Sequence, residues 1–331
     1  MQPEGTILLR RSDVKELLSL RDCIGAVEKI FRLQGQGKIP PSVILGVKAR
    51  DGGLHVKAGL LPRDKSYIVT KLNTNFPANR RRSGLPTIQG VIVVCDAKNG
   101  SPLAILDSID ITIKRTAAAS AVAAKYLARK NSSIATICGC GEQGRAQLRA
   151  MHAVVPLKKI YAFDLDQSAA KCLVAELGNE LEIEIESVRD LRRAIQKSDV
   201  CITCTTANEF FVRKEDVVLG TFIAAVGADD GDKQEIDPTL IASAKVVADS
   251  LEQCCAIGDT HHAIARGLMG KEDVYAELSE IVAGQKPART SDDEIIIFDS
   301  TGVAIEDAVA AAAVCEKARA DGIGTYFEFA A

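Results

Sequence analysis

The chain has 331 residues, a net charge of −3 and a mean hydropathy of +0.07, so it is long enough for two compact domains. The near balance of 41 basic and 44 acidic residues gives no overall field to gather nucleic acid or anionic lipid, and we expect neither partner. The N-terminus lacks the apolar core of a signal peptide and no apolar run is long enough to cross a bilayer, which predicts a soluble, cytoplasmic protein.

The N-terminal third of the chain mixes helical and strand-like patterns. Residues 12–36 carry apolar side chains at helical spacing, and the segments at 54–61, 67–72 and 88–95 are typical of strands. This mixture predicts an α+β region. From Asp110 an alanine-rich stretch predicts a long helix that can pack closely against a neighbour, and we interpret it as the connection to a second domain.

From residue 133 onward, apolar strand-like runs alternate with helical stretches. The runs are SSIATIC, KKIYAFDLD, EIEIES, SDVCITCTTA, TFIAAVGAD, AKVVADS and EIIIFDSTG. Such alternation is the pattern of a parallel sheet with helices on both faces, so we predict an α/β, Rossmann-type doubly wound fold. The last helix, Ala304 to about Ala320, is expected to fold back onto the N-terminal region, because nothing after the last strand could complete a separate domain.

Within this region a glycine-rich turn carries the strongest functional signal. Gly139, Gly141 and Gly144 form a GxGxxG motif that follows an apolar strand and opens a helix, and Asp164 stands at the end of the next strand. In dinucleotide-binding folds such glycines allow a tight turn, close approach to the pyrophosphate and close helix–sheet contact. A carboxylate at Asp164 accepts hydrogen bonds from a ribose 2′-hydroxyl and repels a 2′-phosphate, which predicts NAD(H), with NADP(H) as the alternative.

Charged side chains in four places are candidates for the reacting end of a site. Lys57 and Lys71 lie in strand-like runs flanked by apolar residues, where a lysine can anchor a carboxylate or pass a proton, or can simply extend from a sheet edge. Arg115 begins the alanine-rich helix and could grip a carboxylate or be a surface charge. Asp229 and Asp230 end an apolar strand, where ligands of doubly wound folds bind, and one of them is a natural general acid or base.

The cysteines and histidines predict no metal site. Ten scattered cysteines fit a reducing compartment. Cys201 and Cys204 form a CxxC, but their apolar, β-branched surroundings are typical of a buried strand, so we interpret them as core residues. The pairs Cys254–Cys255 and His261–His262 lack partners at zinc-binding spacing, and packing or capping is the simplest role for the histidines.

Several separated motifs, in order along the chain, resemble those of the ornithine cyclodeaminase/mu-crystallin family. They are Lys71 in VTKLNTNFPAN, Thr87 in LPTIQG, Arg115 in RTAAASAVAAKYLA, the turn GCGEQG, Asp229 in VGADDGDKQE, and DSTG at 299–302. The resemblance covers nearly the whole chain. It implies an NAD(P)-binding Rossmann domain at 116–302, and a substrate-binding and dimerisation domain built from 1–115 together with 303–331, in a protein that forms homodimers.

The resemblance also implies roles for individual residues. Arg115 and Lys71 would hold the carboxylate of a small amino or imino acid, Lys71 would also pass a proton, and Thr87 would line the same pocket. Asp229 would act as the acid or base near the reacting nitrogen. The residues expected to contact the dinucleotide are Gly139, Gly141, Gln143, Gly144, Asp164, Thr205 and Gly302.

Lys57 bears on which reaction such a site performs. A second cation in the pocket disfavours the terminal ammonium of ornithine and suits a dianionic or uncharged imino acid. We therefore predict an NAD(P)H-dependent imino acid reductase or amino acid dehydrogenase. Ornithine cyclodeaminase, which forms proline and ammonia, is the alternative. A non-catalytic protein that holds a dinucleotide and a small ligand is a third interpretation, and Asp229 argues against it.

Overall fold

The chain forms two compact units in a computed structural model that describes residues 5–62 and 65–329. Unit 1 combines the chain up to Arg115 with the segment from Val303 onward, and unit 2 comprises Thr116–Gly302. Across the described ranges, no helix combines the length and the apolar character needed to cross a bilayer.

Unit 1 is built on a seven-stranded mixed sheet. Its strands, numbered in chain order, are β1 (Thr6–Leu9), β2 (Val43–Ala49), β3 (Gly52–Leu61), β4 (Tyr67–Asn75), β5 (Ile88–Asp96), β6 (Pro102–Asp107) and β15 (Thr325–Phe327). Their order across the sheet is β15-β1-β6-β5-β4-β3-β2, with β1 and β6 parallel and the other neighbours antiparallel. The three strands predicted from alternation are β3, β4 and β5.

The helical periodicity over 12–36 is divided between two helices. The helices that belong wholly or partly to this unit are α1 (Arg11–Leu17), α2 (Leu20–Gly35), α3 (Asn79–Ser83), α4 (Ile109–Leu127) and α12 (Ala304–Asp321). Leu18 is extended between α1 and α2, and the Ser19 hydroxyl accepts the Asp22 N–H at 3.1 Å. This N-cap starts a new helix although the apolar spacing continues through it.

Helix α12 is buried nearly all the way round. It packs on β3, β4 and α2, and its alanines allow the close approach to the sheet that larger side chains would prevent. Two acidic residues, Glu306 and Asp307, lie in its first turn, where they complement the helix dipole. Because a buried charge needs partners, we expect both residues to pair with cations of unit 1.

Unit 2 contains an eight-stranded parallel sheet, which confirms the predicted α/β class. Its strands are β7 (Ile134–Cys138), β8 (Lys159–Phe163), β9 (Glu184–Ser187), β10 (Val200–Thr203), β11 (Phe222–Ala225), β12 (Lys245–Ala248), β13 (Ala276–Glu277) and β14 (Ile296–Asp299). The order is β13-β12-β14-β11-β10-β7-β8-β9, so the chain winds to one side from β7 and to the other from β10. Ligands of doubly wound sheets bind beyond the carboxyl ends of strands at such a switch point.

Short and long helices flank this sheet. They are α5 (Glu142–His152), α6 (Gln167–Leu181), α7 (Leu191–Ile195), α8 (Pro238–Ile241), α9 (Leu251–Ile257), α10 (Asp259–Ala265) and α11 (Leu278–Val282), together with 3₁₀ turns at Lys214–Asp216 and Lys271–Asp273. Helix α5 begins three residues before the predicted start at Arg145. The consequence is that the helix N-terminus lies inside the glycine motif.

Candidate functional site

The glycine turn follows β7 and has the geometry that its sequence predicts. Gly139 has a φ of +99°, and a Cβ there would lie 2.9 Å from the carbonyl oxygen of Cys204. A Cβ on Gly144 would overlap the Gly139 carbonyl oxygen, so α5 packs too closely for a side chain there. Gly141 caps α5 and has nothing within 4 Å of an added Cβ. The turn is therefore tight on its protein side and open at Gly141.

Asp164 lies beside this turn, directly after β8. Its Oδ2 accepts the Cys140 N–H at 2.8 Å and its Oδ1 accepts the Asp166 N–H at 2.9 Å. The turn and Asp164, with Thr205 and Phe210, line a cavity of about 600 Å³. This volume is typical of small-molecule sites. An open glycine, a helix N-terminus and an acceptor carboxylate around one cavity fit the pyrophosphate and ribose of a dinucleotide.

A buried glutamate that sequence reasoning missed holds the next loop in place. Glu235 is 0% exposed, and its carboxylate accepts the Thr205 N–H at 2.6 Å, the Thr205 hydroxyl at 2.7 Å and the Gly227 N–H at 2.9 Å. It therefore ties the loop after β10 to the loop after β11. Burial raises the pKa of Glu235, although the hydrogen bonds from the Thr205 side chain and backbone oppose the rise.

Three more buried carboxylates of unit 2 accept hydrogen bonds in the same way, from segments that follow other strands. Asp249 accepts the Gly302 N–H at 2.6 Å and the Ser300 hydroxyl at 3.0 Å. Asp259 accepts the backbone N–H groups of residues 235 and 236, and Asp299 accepts the N–H and the hydroxyl of residue 260. We call Glu235, Asp249, Asp259 and Asp299 the acidic array.

The acidic array is compensated by hydrogen-bond donors rather than by cations. In the part of the chain that the structure describes, none of its four members pairs with a lysine or arginine. Burial raises the pKa of Asp299 to about 7, and the neighbouring Asp249 adds to the rise. Burial, with the charges of Asp299 and Glu235, raises the pKa of Asp259 well above its usual value. Asp259 and Asp299 therefore hold their protons more strongly than exposed aspartates do.

Asp229 lies beyond β11 and not at its end, so its predicted position on the strand is wrong. The strand stops at Ala225, because the Gly227 N–H turns away to donate to Glu235. The Asp229 side chain is 58% exposed, and its carboxylate lies 2.5 Å from the Lys233 ammonium. Its loop nevertheless leaves the carboxyl edge of the sheet, as do the glycine turn and the loop that carries Thr205.

The paired cysteines and histidines have structural partners. Cys201 is buried, and the Cys204 thiol lies 3.5 Å from the Cys138 carbonyl oxygen and 3.4 Å from that of residue 139. His261 Nδ1 and His262 Nε2 bond to backbone carbonyl oxygens at 3.2 and 2.8 Å. Among the described residues, no group of three or more histidine, cysteine or acidic side chains is arranged to hold a metal ion.

In unit 1, Lys71 and Arg115 come together with the two acidic residues of α12. The Lys71 ammonium lies 2.6 Å from Asp307 Oδ2, and Arg115 donates from Nε to Asp307 Oδ1 at 2.9 Å. Arg115 also donates from Nη1 to Glu306 at 2.7 Å. All four side chains are at most 6% exposed. We call these four residues the ion-pair cluster, and Arg115 is therefore not the surface charge that its position alone allowed.

Lys57 lies directly opposite Lys71 in the antiparallel pair β3–β4, so both side chains project from the same face of the sheet. Burial lowers the pKa of Lys71 to about 7, while attraction to Asp307 opposes the change and the Arg115 and Lys57 charges add to it. Burial alone would raise the pKa of Asp307, but Arg115, Lys71 and Lys57 hold it below its usual value. The cations of the cluster thus keep the Asp307 carboxylate ionised.

Thr87 lies apart from the ion-pair cluster. It precedes β5 and is half-buried, and its carbonyl oxygen accepts the Phe76 N–H at 2.8 Å. The β5 residue opposite Lys71 is Ile92. Thr87 is five residues from Ile92, which corresponds to about 16 Å of extended strand. The register therefore does not bring Thr87 beside Lys71.

The remaining expected cofactor residues all belong to unit 2. Gly302 has a φ of +78°, and its N–H is held by Asp249. Gln143 is half-buried in the first turn of α5. The residues that sequence reasoning missed are Glu235, Asp249, Asp259, Asp299, Glu306 and Asp307. A sequence signal existed for the last two, since adjacent acids in an otherwise apolar, alanine-rich helix indicate buried partners.

Comparison with known proteins identifies a family and several solved structures with this architecture. The sequence model of the ornithine cyclodeaminase/mu-crystallin family matches residues 4–322. An archaeal alanine dehydrogenase, solved as a dimer with bound NAD, superposes with a TM-score of 0.93 at 37% identity, covering 98% of this chain and 100% of that one.

Two further solved structures are similar over nearly their whole length. The Δ(1)-pyrroline-2-carboxylate reductase of Thermococcus litoralis, in complex with NADH and L-proline, has a TM-score of 0.92 and 38% identity, covering 97% of this chain and 100% of that one. The iminosuccinate reductase of Paracoccus denitrificans, in complex with NAD⁺, has a TM-score of 0.90 and 30% identity, covering 98% and 100%. All three structures contain a form of NAD.

Proposed function

The chain belongs to the ornithine cyclodeaminase/mu-crystallin family, and from that premise we propose that it is an NAD(H)-dependent oxidoreductase that interconverts a small α-imino acid and the corresponding α-amino acid. In the reductive direction the imine carbon gains a hydride and the nitrogen gains a proton. The activities named for the similar solved enzymes, an alanine dehydrogenase and two imine reductases, support this reaction class.

The observation that carries the proposal is the ion-pair cluster with Lys57 beside it. Lys71 and Arg115 are buried cations held by carboxylates, and Lys57 adds a third positive charge on the same face of the sheet. An α-carboxylate is the part that every α-imino and α-amino acid shares, and a planar guanidinium beside an ammonium suits it. We assign Lys71 and Arg115 to that carboxylate.

Lys57 determines which charge is preferred on the substrate side chain. Its charge already disfavours protonation of Lys71, so a substrate with a cationic side chain meets further repulsion there. A second carboxylate is attracted instead, and an uncharged side chain is tolerated. The preferred substrate is therefore a dianionic or uncharged imino acid rather than ornithine.

The glycine turn, Asp164 and Thr205 are the residues that we assign to NAD(H), with Gln143 and Gly302. When bound, this cofactor supplies or accepts the hydride. The Asp164 carboxylate lies beside the turn and disfavours a 2′-phosphate, so NADP(H) is expected to bind more weakly. The hydrogen bonds of Glu235 hold the Thr205 backbone and hydroxyl in one orientation.

Asp229 is the residue that we assign to proton transfer at the substrate nitrogen. Its loop leaves the carboxyl edge of the parallel sheet, the edge that also carries the glycine turn. The carboxylate is exposed and its neighbour Lys233 lies within hydrogen-bonding distance. An accessible carboxylate can exchange its proton with solvent between turnovers.

One face of the unit 1 sheet is proposed to bind a second copy of the chain. Strand β2 forms the edge of this sheet and is exposed along its whole length. The side chains on the face opposite Lys57 include exposed apolar residues on four neighbouring strands, Val43, Leu45, Val47, Leu60, Ile68 and Val91. A continuous apolar face with an open strand edge marks an association surface. Light scattering should give a molar mass of twice the 35.3 kDa chain.

The substrate assignment is tested by steady-state kinetics with imines of different charge. NADH consumption is measured with an imino dicarboxylate and with a cyclic imine monocarboxylate, for the wild type and for Lys57→Met. We expect the substitution to lower kcat/KM for the dicarboxylate by roughly 10-fold, as loss of one complementary charge does, and to change it little for the monocarboxylate. Equal effects on both substrates would contradict the role of Lys57.

A further inference from the structure

Asp307 occupies the centre of the ion-pair cluster. Its two oxygens contact different cations, with Oδ2 2.6 Å from the Lys71 ammonium and Oδ1 accepting from Arg115 Nε at 2.9 Å. The three residues come from β4, α4 and α12, which are far apart in sequence. One carboxylate therefore fixes the separation and the orientation of two cations that the proposed function assigns to the substrate.

Burial of this carboxylate is costly. Asp307 is 1% exposed and Glu306 is 0% exposed, on a helix whose other buried residues are apolar. Replacing a buried ion pair by well-packed apolar side chains is often neutral or stabilising, so the stability of the fold alone does not call for Asp307. Arranging Lys71 and Arg115, in contrast, requires an anionic side chain at this position.

We propose that Asp307 is a positioning residue that orients Lys71 and Arg115 before the substrate arrives and keeps a proton on Lys71 so that it can receive the substrate carboxylate. The inference rests on the proposed function, since it concerns the same carboxylate-binding cations. It goes beyond that function by assigning to α12 the control of their charge and geometry.

The charges around Lys71 make the direction of the effect definite. Arg115 on α4 and Lys57 on β3 disfavour its protonation, and Asp307 on α12 favours it. Two other titratable groups lie close by: Glu306, which contacts Arg115, and the buried thiol of Cys23 on α2. With a Lys71 pKa of about 7, loss of the Asp307 charge moves this pKa further down. Lys71 is then neutral over most of the physiological range.

The test is the pH dependence of kcat/KM for Asp307→Asn, which removes the charge and keeps the shape. Because kcat/KM reports groups of the free enzyme, the loss of activity with rising pH should begin at least about one pH unit lower than in the wild type. Relative to the wild type, the variant should therefore lose about 5-fold more activity at pH 8 than at pH 6. A uniform loss at every pH would overturn the proposal.

Glu306→Gln is the matched control. It removes a neighbouring buried carboxylate from the same turn of α12, and that carboxylate accepts from Arg115 at 2.7 Å. We expect KM to rise while the pH of half-maximal kcat/KM stays where it is in the wild type. If Glu306→Gln moves that pH as far as Asp307→Asn does, the effect belongs to the whole cluster and not to Asp307. Asp307→Ser provides the same charge removal if the amide variant does not fold.

A second readout does not depend on turnover. The pKa of Lys71 is followed by the ¹³Cε resonance in protein labelled with ¹³C-lysine, and Lys71→Arg identifies the signal. The expected result is a lower pKa in Asp307→Asn than in the wild type, and an unchanged pKa would overturn the proposal. If the pKa moves but the wild type reduces no imino acid, the proposed function fails while the electrostatic role of Asp307 stands.

Discussion

The ion-pair cluster of unit 1 and the acidic array of unit 2 are two ways of burying carboxylates. Asp307 and Asp299 are both at most 1% exposed. Asp307 contacts two cations, whereas Asp299 accepts two hydrogen bonds from residue 260 and has other carboxylates as its charged neighbours. The same residue type is thus placed in opposite electrostatic surroundings.

The two surroundings shift the pKa values of Asp307 and Asp299 in opposite directions. Cations hold the pKa of Asp307 below its usual value, so this carboxylate stays ionised. Burial raises the pKa of Asp299 to about 7. Elsewhere in the array, Glu235 and Asp249 accept hydrogen bonds from the loops that carry Thr205 and Gly302. A buried carboxylate therefore contributes to an ionic binding site only where neighbouring cations compensate its charge.

The largest effect is expected in the ion-pair cluster. Lys71→Met removes one cation from the substrate carboxylate, and truncating one partner of a buried charged pair costs about 2–5 kcal/mol, so kcat/KM should fall by about 30-fold or more. The affinity for NADH, measured by fluorescence titration, should not change, because Lys71 belongs to unit 1. Lys98→Gln, on an exposed turn of the same unit, is the control and should behave as the wild type. Equal losses in both variants would contradict the assignment.

A smaller effect is expected in the glycine turn, where two glycines can be compared. Gly139→Ala introduces a side chain at a φ of +99° and close to the Cys204 carbonyl oxygen, so the thermal midpoint should fall, with a cost of about 1–3 kcal/mol. Gly141→Ala meets open space and should fold as stably as the wild type. Both variants should bind NADH more weakly in a fluorescence titration. Unchanged NADH affinity in Gly141→Ala would show that the pyrophosphate does not approach this residue.

The smallest effect is expected in the acidic array and depends on pH. An unfolded aspartate ionises near pH 4, but folded Asp299 keeps its proton up to about pH 7. The folded state binds more protons in this window, so the stability from Asp299 is full below about pH 4 and is lost as the pH rises through 7. Asp299→Asn cannot ionise, so its thermal midpoint relative to the wild type should improve between pH 5 and pH 8. A constant difference would contradict the raised pKa of Asp299.

The parallel sheet and its glycine turn could be predicted because their signals are local. Most of the strands identified between β7 and β14 are short apolar runs, and GCGEQG has a strand before it and a helix after it. The break between α1 and α2 could not be found from apolar spacing, because that spacing continues through Leu18 and Ser19. The helix boundary is set instead by the Ser19 hydroxyl, which caps α2. Strand β2 also escaped prediction, since both its faces are exposed and it shows no alternation of burial.

The candidate site was predictable only in part, for a different reason. Lys71 and Arg115 could be selected as charges in apolar surroundings, but their partner Asp307 is distant in sequence and depends on how α12 packs against β4. The acidic array depends on contacts among loops that follow separate strands. Such contacts leave no periodic pattern, so only the packed structure reveals which carboxylates receive cations and which receive N–H groups.

The most direct test of the proposed reaction is the NADH balance. Purified protein is given NADH with a panel of α-imino acids and, separately, ornithine with a catalytic amount of NAD⁺, while NADH absorbance, ammonia and proline are followed. An imine reductase should consume one NADH for each amino acid formed and should release no ammonia from ornithine. Formation of proline and ammonia from ornithine without net change in NADH would contradict the proposed function and identify a cyclodeaminase.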